Sequence, residues 1–522
     1  YSKTSPMERT LLLWMMALNG IIAQAQAPFA NVYDAPSDTT SPWYTGGRVA
    51  LRPDSGFTVL GHAGSNSPDR KIIYVDRIDA DGAPLQHDRY HFAQDTVYLY
   101  NCFTRSDAGS LLIGTVRDRD LFMMHVADDG TCVSALIYDD PDPLVISSRW
   151  HRAVPLPDDS LLLVGSASGA GGSKGLIAKC DTNGMIASGT YLQINNAATA
   201  FLGAEALANG DVLAWGGVNG PMGGSNVARI APDGTVIWAE RVREIPSSGM
   251  QISGAVELSD GTLLLGMSYV PAGQTTMHPA LLALASDGSL IDWKFYPDMI
   301  SGVYGAIPAN NDGVLMVGSG PGALRFLSVD ATGAIATAGE LNATMSQYAF
   351  IADATGAPVI SGLTPVLPRR PAMIRGTGAF AACGVVPLTS TVQSLTPIIA
   401  DDWVQTSVLL DPVDVTASIT HSTWALTDSA LCPGIITGSS DHAQRISKAW
   451  PVPASDVLWV DLPDGTTARG VDVIDALGRR AAMAWTADAG RVRLSVEDLR
   501  PGAYTLRIRT IEGELAVRFL KE

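Results

Sequence analysis

The sequence predicts an all-β protein: a seven-bladed β-propeller, a small β connector, and a C-terminal antiparallel β-sandwich. Three observations lead there. A short phrase recurs seven times at near-constant spacing, the strands inside it are apolar at consecutive positions, and the last 75 residues change in charge and pattern.

The phrase is a turn rich in Asp, Asn or Gly, then three to five apolar residues, then glycine. It closes at Gly61, Gly114, Gly165, Gly216, Gly266, Gly318 and Gly362, between 44 and 53 residues apart. Stretches such as Leu161 to Val164 are apolar without alternation, so both faces of the strand must be dry. A sheet wedged between two neighbouring sheets meets that demand. Between the copies, apolar strands run into Asp-Gly or Asn-Gly turns, as at Ile72 to Gly82, Phe122 to Gly130 and Leu281 to Gly288. Such turns join antiparallel neighbours. Each repeat therefore reads as four strands in a meander, and repeats of this length closing into a ring give a propeller over 26–386. The competing architecture is an open array or tandem sandwich of the same hairpins. The closing glycine is read as the place where the backbone bends or approaches closely near the axis.

Upstream, Met7 to Arg9 precede the apolar run Leu11 to Ile22, and Ala23 and Ala25 supply the small residues of a cleavage site. Residues 7–25 are expected to be a secretory signal cut after Ala25, with 1–6 outside the fold. The apolar run is shorter than the roughly 20 residues a membrane span requires. Residues 387–447, with strand-like stretches Val404 to Leu410 and Val415 to Ile419, read as the connector. The net charge of −17 and the lack of a Lys/Arg cluster exclude a nucleic-acid partner. From Lys448 onward there are eleven Lys and Arg against eleven Asp and Glu, so the acidic excess lies wholly in the body.

The five cysteines are too few to scaffold the fold. Cys383 and Cys432, which flank the connector, form the expected disulfide. Cys102 with Cys132 is a second pairing that would leave Cys180 free, and the sequence leaves the connectivity open.

Local motifs give little chemistry. Gly171-Gly172-Ser173-Lys174-Gly175 matches a nucleophile elbow, but a strand rather than a helix follows, and it makes no Walker loop either. His87 and His91 lack a third ligand and read as an outer, solvated strand. Asp79-Ala80-Asp81-Gly82, Asp128-Asp129-Gly130 and Asp139 to Asp142 lack the late Glu of a calcium loop and read as turns. Asp158-Asp159 and Asp401-Asp402 would act as glycosidase carboxylates only if they faced each other across a cleft. Trp238 and Trp293 resemble the tryptophan-docking residues of quinoprotein propellers, but two repeats alone carry them and they read as packing residues. No catalytic residue, cofactor or metal ligand is assigned.

The tail is more specific. It runs through Pro451, Pro453, Ala454, Ser455 and Asp456, then Val471 to Arg479 with Gly478, then Leu499-Arg500-Pro501-Gly502-Ala503-Tyr504, and ends Phe519-Leu520-Lys521. This order resembles the type A C-terminal sorting domain of the type IX (Por) secretion system of Bacteroidota, with Val452 where Asn is usual. The resemblance implies a β-sandwich over 448–522 that is read by the outer-membrane export machinery. It also implies a protein that is secreted or held at the cell surface, often through lipopolysaccharide. For the body, the expectation is a non-catalytic module binding a protein or glycan at one end of the propeller channel, with an extracellular hydrolase or lyase as the alternative.

Overall fold

A computed structural model describes residues 29–430 and 449–522. Excepted are 35–43, 64–71, 93–95, 140–144, 219–223, 244–246, 364–370, 377–384, 395–397, 451–453, 463–467, 476–479, 511–513 and scattered single or paired loop residues. The signal reading at Ala23 and Ala25, the Cys383–Cys432 pair, Pro451, Pro453 and Gly478 all lie outside the described residues. The chain divides into two compact units, 1–437 and 438–522.

In the first unit the described strands form seven five-stranded antiparallel sheets. Blade one contains Tyr44–Leu51, Phe57–Ala63, Ile72–Ile78 and Pro84–Phe92, and blade two begins with Val97–Thr104. The innermost strands of blades three to seven are Val145–Pro155, Gly203–Ala206, Ser247–Glu257, Gly302–Ala309 and Ser346–Ala352. Each innermost strand touches the next, and the last touches the first, so the seven surround a channel. Between blades lie seven apolar clusters, each drawing on two adjacent sheets. Leu161, Leu162, Leu163 and Val164 explain the unalternating phrase. Leu161 and Leu163 face the cluster shared with blade two, and Leu162 and Val164 the cluster shared with blade four.

The ring closes through its N-terminus. Phe29–Asp34 is the fourth strand of blade seven, paired with Pro371–Arg375. Across the seam, Tyr33 Oη and Asn31 Nδ2 both donate to the Gly82 carbonyl of blade one at 2.9 Å. The same joint recurs: Tyr90, Tyr138 and Tyr296 donate to the carbonyls of Gly130, Gly184 and Gly333 in the following blade. Trp238 takes this role between blades four and five, its indole N–H reaching the Ser286 carbonyl at 3.1 Å. Trp293 is fully buried in the adjacent core.

The connector is not a separate module. From Val385–Pro387 to Thr427–Ala430 the chain lays one outer strand on every blade, taking blades six, five, four, three, two and one in turn and finishing on blade seven. It thus runs backwards around the whole ring as a belt. Trp403–Val408 is a strand, as expected, paired with Ile186–Ile194. Val415 to Ile419 is not a strand. Thr416–Ser418 is a 3-10 turn in which the Asp414 carboxylate accepts the Thr416 N–H and hydroxyl, a local bond that competes with the ladder.

The belt also corrects the reading of His87. Strand Pro84–Phe92 is covered by Ile419–Trp424, so His87 is buried rather than solvated, and its Nδ1 bonds the buried Asp76 carboxylate. Burial would lower its pKa, but Asp76 outweighs that and the net shift is upward. Cys102, Cys132 and Cys180 are free thiols. Cys102 and Cys132 occupy the first and fourth strands of one sheet, about 14 Å apart at the usual strand spacing, which overturns that pairing.

The second unit is an antiparallel sandwich of two four-stranded sheets. One contains Val457–Asp461 and Arg491–Ser495, the other Ala468–Asp475, Gly502–Thr510 and Glu514–Lys521. They enclose a core of Leu458, Val460, Val473, Val492, Leu494, Leu506, Ile508 and Phe519.

Candidate functional site: the channel end

The innermost strands carry a repeated irregularity. Their pairing slips between Gly46 and Arg48, Leu99 and Asn101, Trp150 and Arg152, Ile252 and Gly254, Val303 and Gly305, and Ser346 and Ala349. Each slip is a β-bulge with an unpaired residue, and bulges re-aim side chains. Opposite them stand the closing glycines of the repeat. A Cβ on Gly114 would lie 2.0 Å from the Tyr98 carbonyl oxygen, and one on Gly165 would lie 1.9 Å from that of Arg149. Glycine at the end of the phrase is therefore what admits the bulge.

The bulges present Tyr100, His151, Ser253 and Tyr304 to one end of the channel. There, with Arg48, Arg152, Glu205 and Gln251, they line a cavity of about 510 Å³. A second, more apolar cavity of about 680 Å³ continues along the axis past Val49, Phe103, Val154, Leu207 and Glu257.

The charged groups of the first cavity come from adjacent blades. Arg48, in blade one, is open to channel water but walled by protein. That enclosure lowers its pKa, and Arg152 lowers it further. In blade two, Tyr100 receives the Arg149 guanidinium over its ring at 5.8 Å and meets the His151 ring at 5.2 Å. His151 Nε2 lies 3.2 Å from Ser166 Oγ, and Asn101 Nδ2 donates to the His151 carbonyl at 3.1 Å. Burial, then Arg48 and Arg149, push the His151 pKa down to about 3, so this imidazole is neutral at physiological pH. Arg152 lies 3.8 Å from Glu205, and Tyr304 Oη bonds Ser319 Oγ at 2.9 Å.

The candidates read from the sequence fall elsewhere. Ser173 sits on an antiparallel hairpin strand, its Oγ 2.9 Å from Ser168 Oγ, which is no strand-to-helix elbow. Asp79 and Asp129 cap their own turns through backbone N–H groups. Asp158 bonds Lys179 at 2.7 Å, and Lys179 first, then Ser160, hold its pKa down at about 2. Among the described residues no group of three His, Cys, Asp or Glu side chains could hold a metal ion. The channel residues escaped sequence reading because none belongs to a local motif. A signal does exist: Tyr100, His151 and Tyr304 each stand fourteen residues before a closing glycine.

In the second unit, Asp456 is exposed and its carbonyl accepts the Val496 N–H at 2.8 Å. Pro501 and Gly502 lead into a strand, and Tyr504 Oη clamps that turn by donating to the Arg500 carbonyl at 2.8 Å while its ring stacks on Phe519 at 5.6 Å. Lys521 closes the final strand opposite Gly502.

No curated protein matches this sequence. Among solved structures, the chain is similar to a protein of unknown function from Bacteroides caccae, at 14% identity over 49% of this chain and 84% of that one, with a TM-score of 0.30. It is also similar to the polysaccharide lyase Uly1, at 10% identity over 65% and 90%, TM-score 0.43. The Dos1 propeller is 12% identical over 70% and 98%, TM-score 0.39. The architecture here rests on the strand pairing rather than on these likenesses. Residues 448–522 match the family model of the secretion system C-terminal sorting domain. That unit is thus the sorting domain of type IX secretion, and the chain carrying it is a protein exported through the periplasm to the cell surface or beyond, with a β-propeller-like body as its cargo.

Proposed function

We propose that the exported body is a non-catalytic module that binds a glycan at the bulge-lined end of its channel. The observation that carries this reading is the bulge ring itself. The strand ladder is interrupted in six of the seven blades at one level, and the side chains released there include two tyrosines, a neutral histidine and a serine. A cavity of about 510 Å³ suits a small polar ligand or the end of a chain, and not the face of a folded protein. Tyr304, 45% exposed, offers an aromatic face at the mouth.

Chemistry favours binding over hydrolysis. The carboxylates among the described lining residues of the two cavities, Glu205 and Glu257, are already engaged. Glu205 faces Arg152, and Glu257 accepts the Ala208 N–H at 2.6 Å. Two carboxyls facing one another across a sugar, as glycosidases require, are not formed by them. His151, with a pKa of about 3, is a weak base for abstracting a proton, which also disfavours elimination.

The test is affinity electrophoresis of the full mature chain against a panel of polysaccharides, with Tyr100→Ala and Tyr304→Ala. Loss of about tenfold or more in affinity is expected at an aromatic contact of this kind. Accumulation of new reducing ends or of an unsaturated sugar would replace this reading with the enzymatic one.

A further inference from the structure

We infer that the group entering the channel is an anion, a carboxylate or sulfate ester carried on the glycan, and that Arg48, Arg149 and Arg152 receive it. This rests on the binding reading above and adds the chemical class of the ligand.

The argument begins from charge placement. The chain carries a net −17, and its exposed turns are acidic, yet two guanidiniums, Arg48 and Arg152, line one channel end, and a third, Arg149, lies beside the Tyr100 ring next to them. Their closeness is felt by the groups around them: after burial, Arg152 lowers the Arg48 pKa, and after burial, Arg48 and Arg149 lower that of His151. One carboxylate, Glu205, stands near them, and at 3.8 Å it serves Arg152. Arg48 has no ion-pair or hydrogen-bond partner among the described residues. Arg149 Nε is buried without an acceptor, and its guanidinium carbon lies 5.8 Å from the centre of the Tyr100 ring. More deeply buried arginines elsewhere in this protein are matched by carboxylates: Arg77 with Asp88, Arg375 with Asp353, Arg229 with Asp211. Three neighbouring cations near one carboxylate repel one another, less where water screens them, and an anion placed among them relieves that repulsion.

The geometry also selects the kind of anion. Guanidinium forks pair with planar or tetrahedral oxyanions through two parallel N–H donors. A neutral His151 beside them adds no competing charge, and an anion bound there would raise its proton affinity. Tyr100 and Tyr304 then border the sugar ring that carries the anion. The acidic exterior repels bulk polyanion, so an acidic chain would be held by its end or by one protruding unit at the channel.

The experiment uses the full mature chain and three probes: polygalacturonate, dextran sulfate and unsubstituted dextran. One or both acidic polymers are expected to bind, with Arg48→Gln and Arg149→Gln each weakening that binding about 10- to 100-fold, the usual effect of deleting a hydrogen bond to a charged group. Arg117→Gln, which removes the same charge from an exposed hairpin, should leave it unchanged. Binding of polygalacturonate alone assigns the carboxylate, and of dextran sulfate alone the sulfate. Equal binding of dextran, or wild-type affinity in Arg48→Gln, overturns the anion assignment while leaving the glycan reading standing. Binding of none of the three overturns both. A second readout needs no ligand: relief of repulsion should raise the Tm of free Arg48→Gln, and a fall in Tm would show that Arg48 is already compensated.

Discussion

A side chain of one extra carbon on Gly165 would meet the Arg149 carbonyl oxygen at 1.9 Å, and the bulge that carries His151 depends on that space. Gly165→Ala should therefore cost about 1–3 kcal/mol or more in urea unfolding, the usual range for forced overpacking. It should also weaken ligand binding, because the backbone that must shift holds Arg149 and His151. An alanine variant of wild-type stability would mean the bulge is not forced by the glycine. His151 gives a pH signature. In the folded chain its pKa is lowered to about 3, whereas the unfolded imidazole titrates near its ordinary value of about 6.5. Between those values the unfolded chain binds the extra proton, so this residue's contribution makes stability fall as pH drops through the window, by up to about 1.4 kcal/mol per pH unit. His151→Gln should flatten the stability profile there, and identical slopes for variant and wild type would refute the assignment.

At the scale of the element, the belt is the least secured part of the first unit. Its strands pair with one edge only, and several are two to four residues long, among them Gln393–Ser394 and Ile398–Ala400. Second strands such as Leu161–Gly169 are instead buried on both faces, between the cores shared with the two neighbouring blades. Native-state hydrogen exchange should accordingly release Gln393–Ser394 and Ile398–Ala400 well before 161–164, since local opening follows the number of buried contacts. Equal protection of the two would contradict a belt that is merely laid on. The belt also hides seven strand edges that would otherwise be open to pairing with other chains. Thr406→Pro, which removes a donor from the strand Trp403–Val408 beside Tyr191, should increase aggregation on mild warming more than it lowers the Tm.

For the whole molecule, closure depends on a strand supplied from the N-terminal side. Asn31 and Tyr33 share one acceptor, the Gly82 carbonyl, and Asn31 also donates to Asp428 of the belt at 3.0 Å, so one residue ties the first blade, the last blade and the belt. Asn31→Ala should destabilise by about 1–3 kcal/mol, because a buried carbonyl loses a donor and a carboxylate loses a partner. Tyr33→Phe should cost about 1 kcal/mol. Denaturant curves measure both, and effects confined to the noise would show that the seam bears no special share. The sorting domain has its own core of Leu458, Val473, Leu494 and Phe519, and acts in export rather than in closing the ring. Removing 448–522 in a host with the type IX machinery should leave the protein in the periplasm; its undiminished appearance outside would refute that assignment.

The amino-acid order alone determined the all-β class, the seven-fold repeat and the address of the tail, because each is written in local terms. Consecutive apolar residues need two dry faces, Asp-Gly turns need antiparallel neighbours, and the tail motifs lie within one 75-residue unit. Tertiary structure decided the rest. That residues 385–430 run backwards around the ring could not be read from strands of two to six residues, since their pairing partners lie up to about 400 positions away. His87 looked solvated because the strand that buries it comes from the belt. The channel site was hidden for the same reason: Arg48, Tyr100, Arg149, His151 and Arg152 carry no motif, and they become neighbours through bulges at equivalent levels of three blades and the closure that sets those blades side by side.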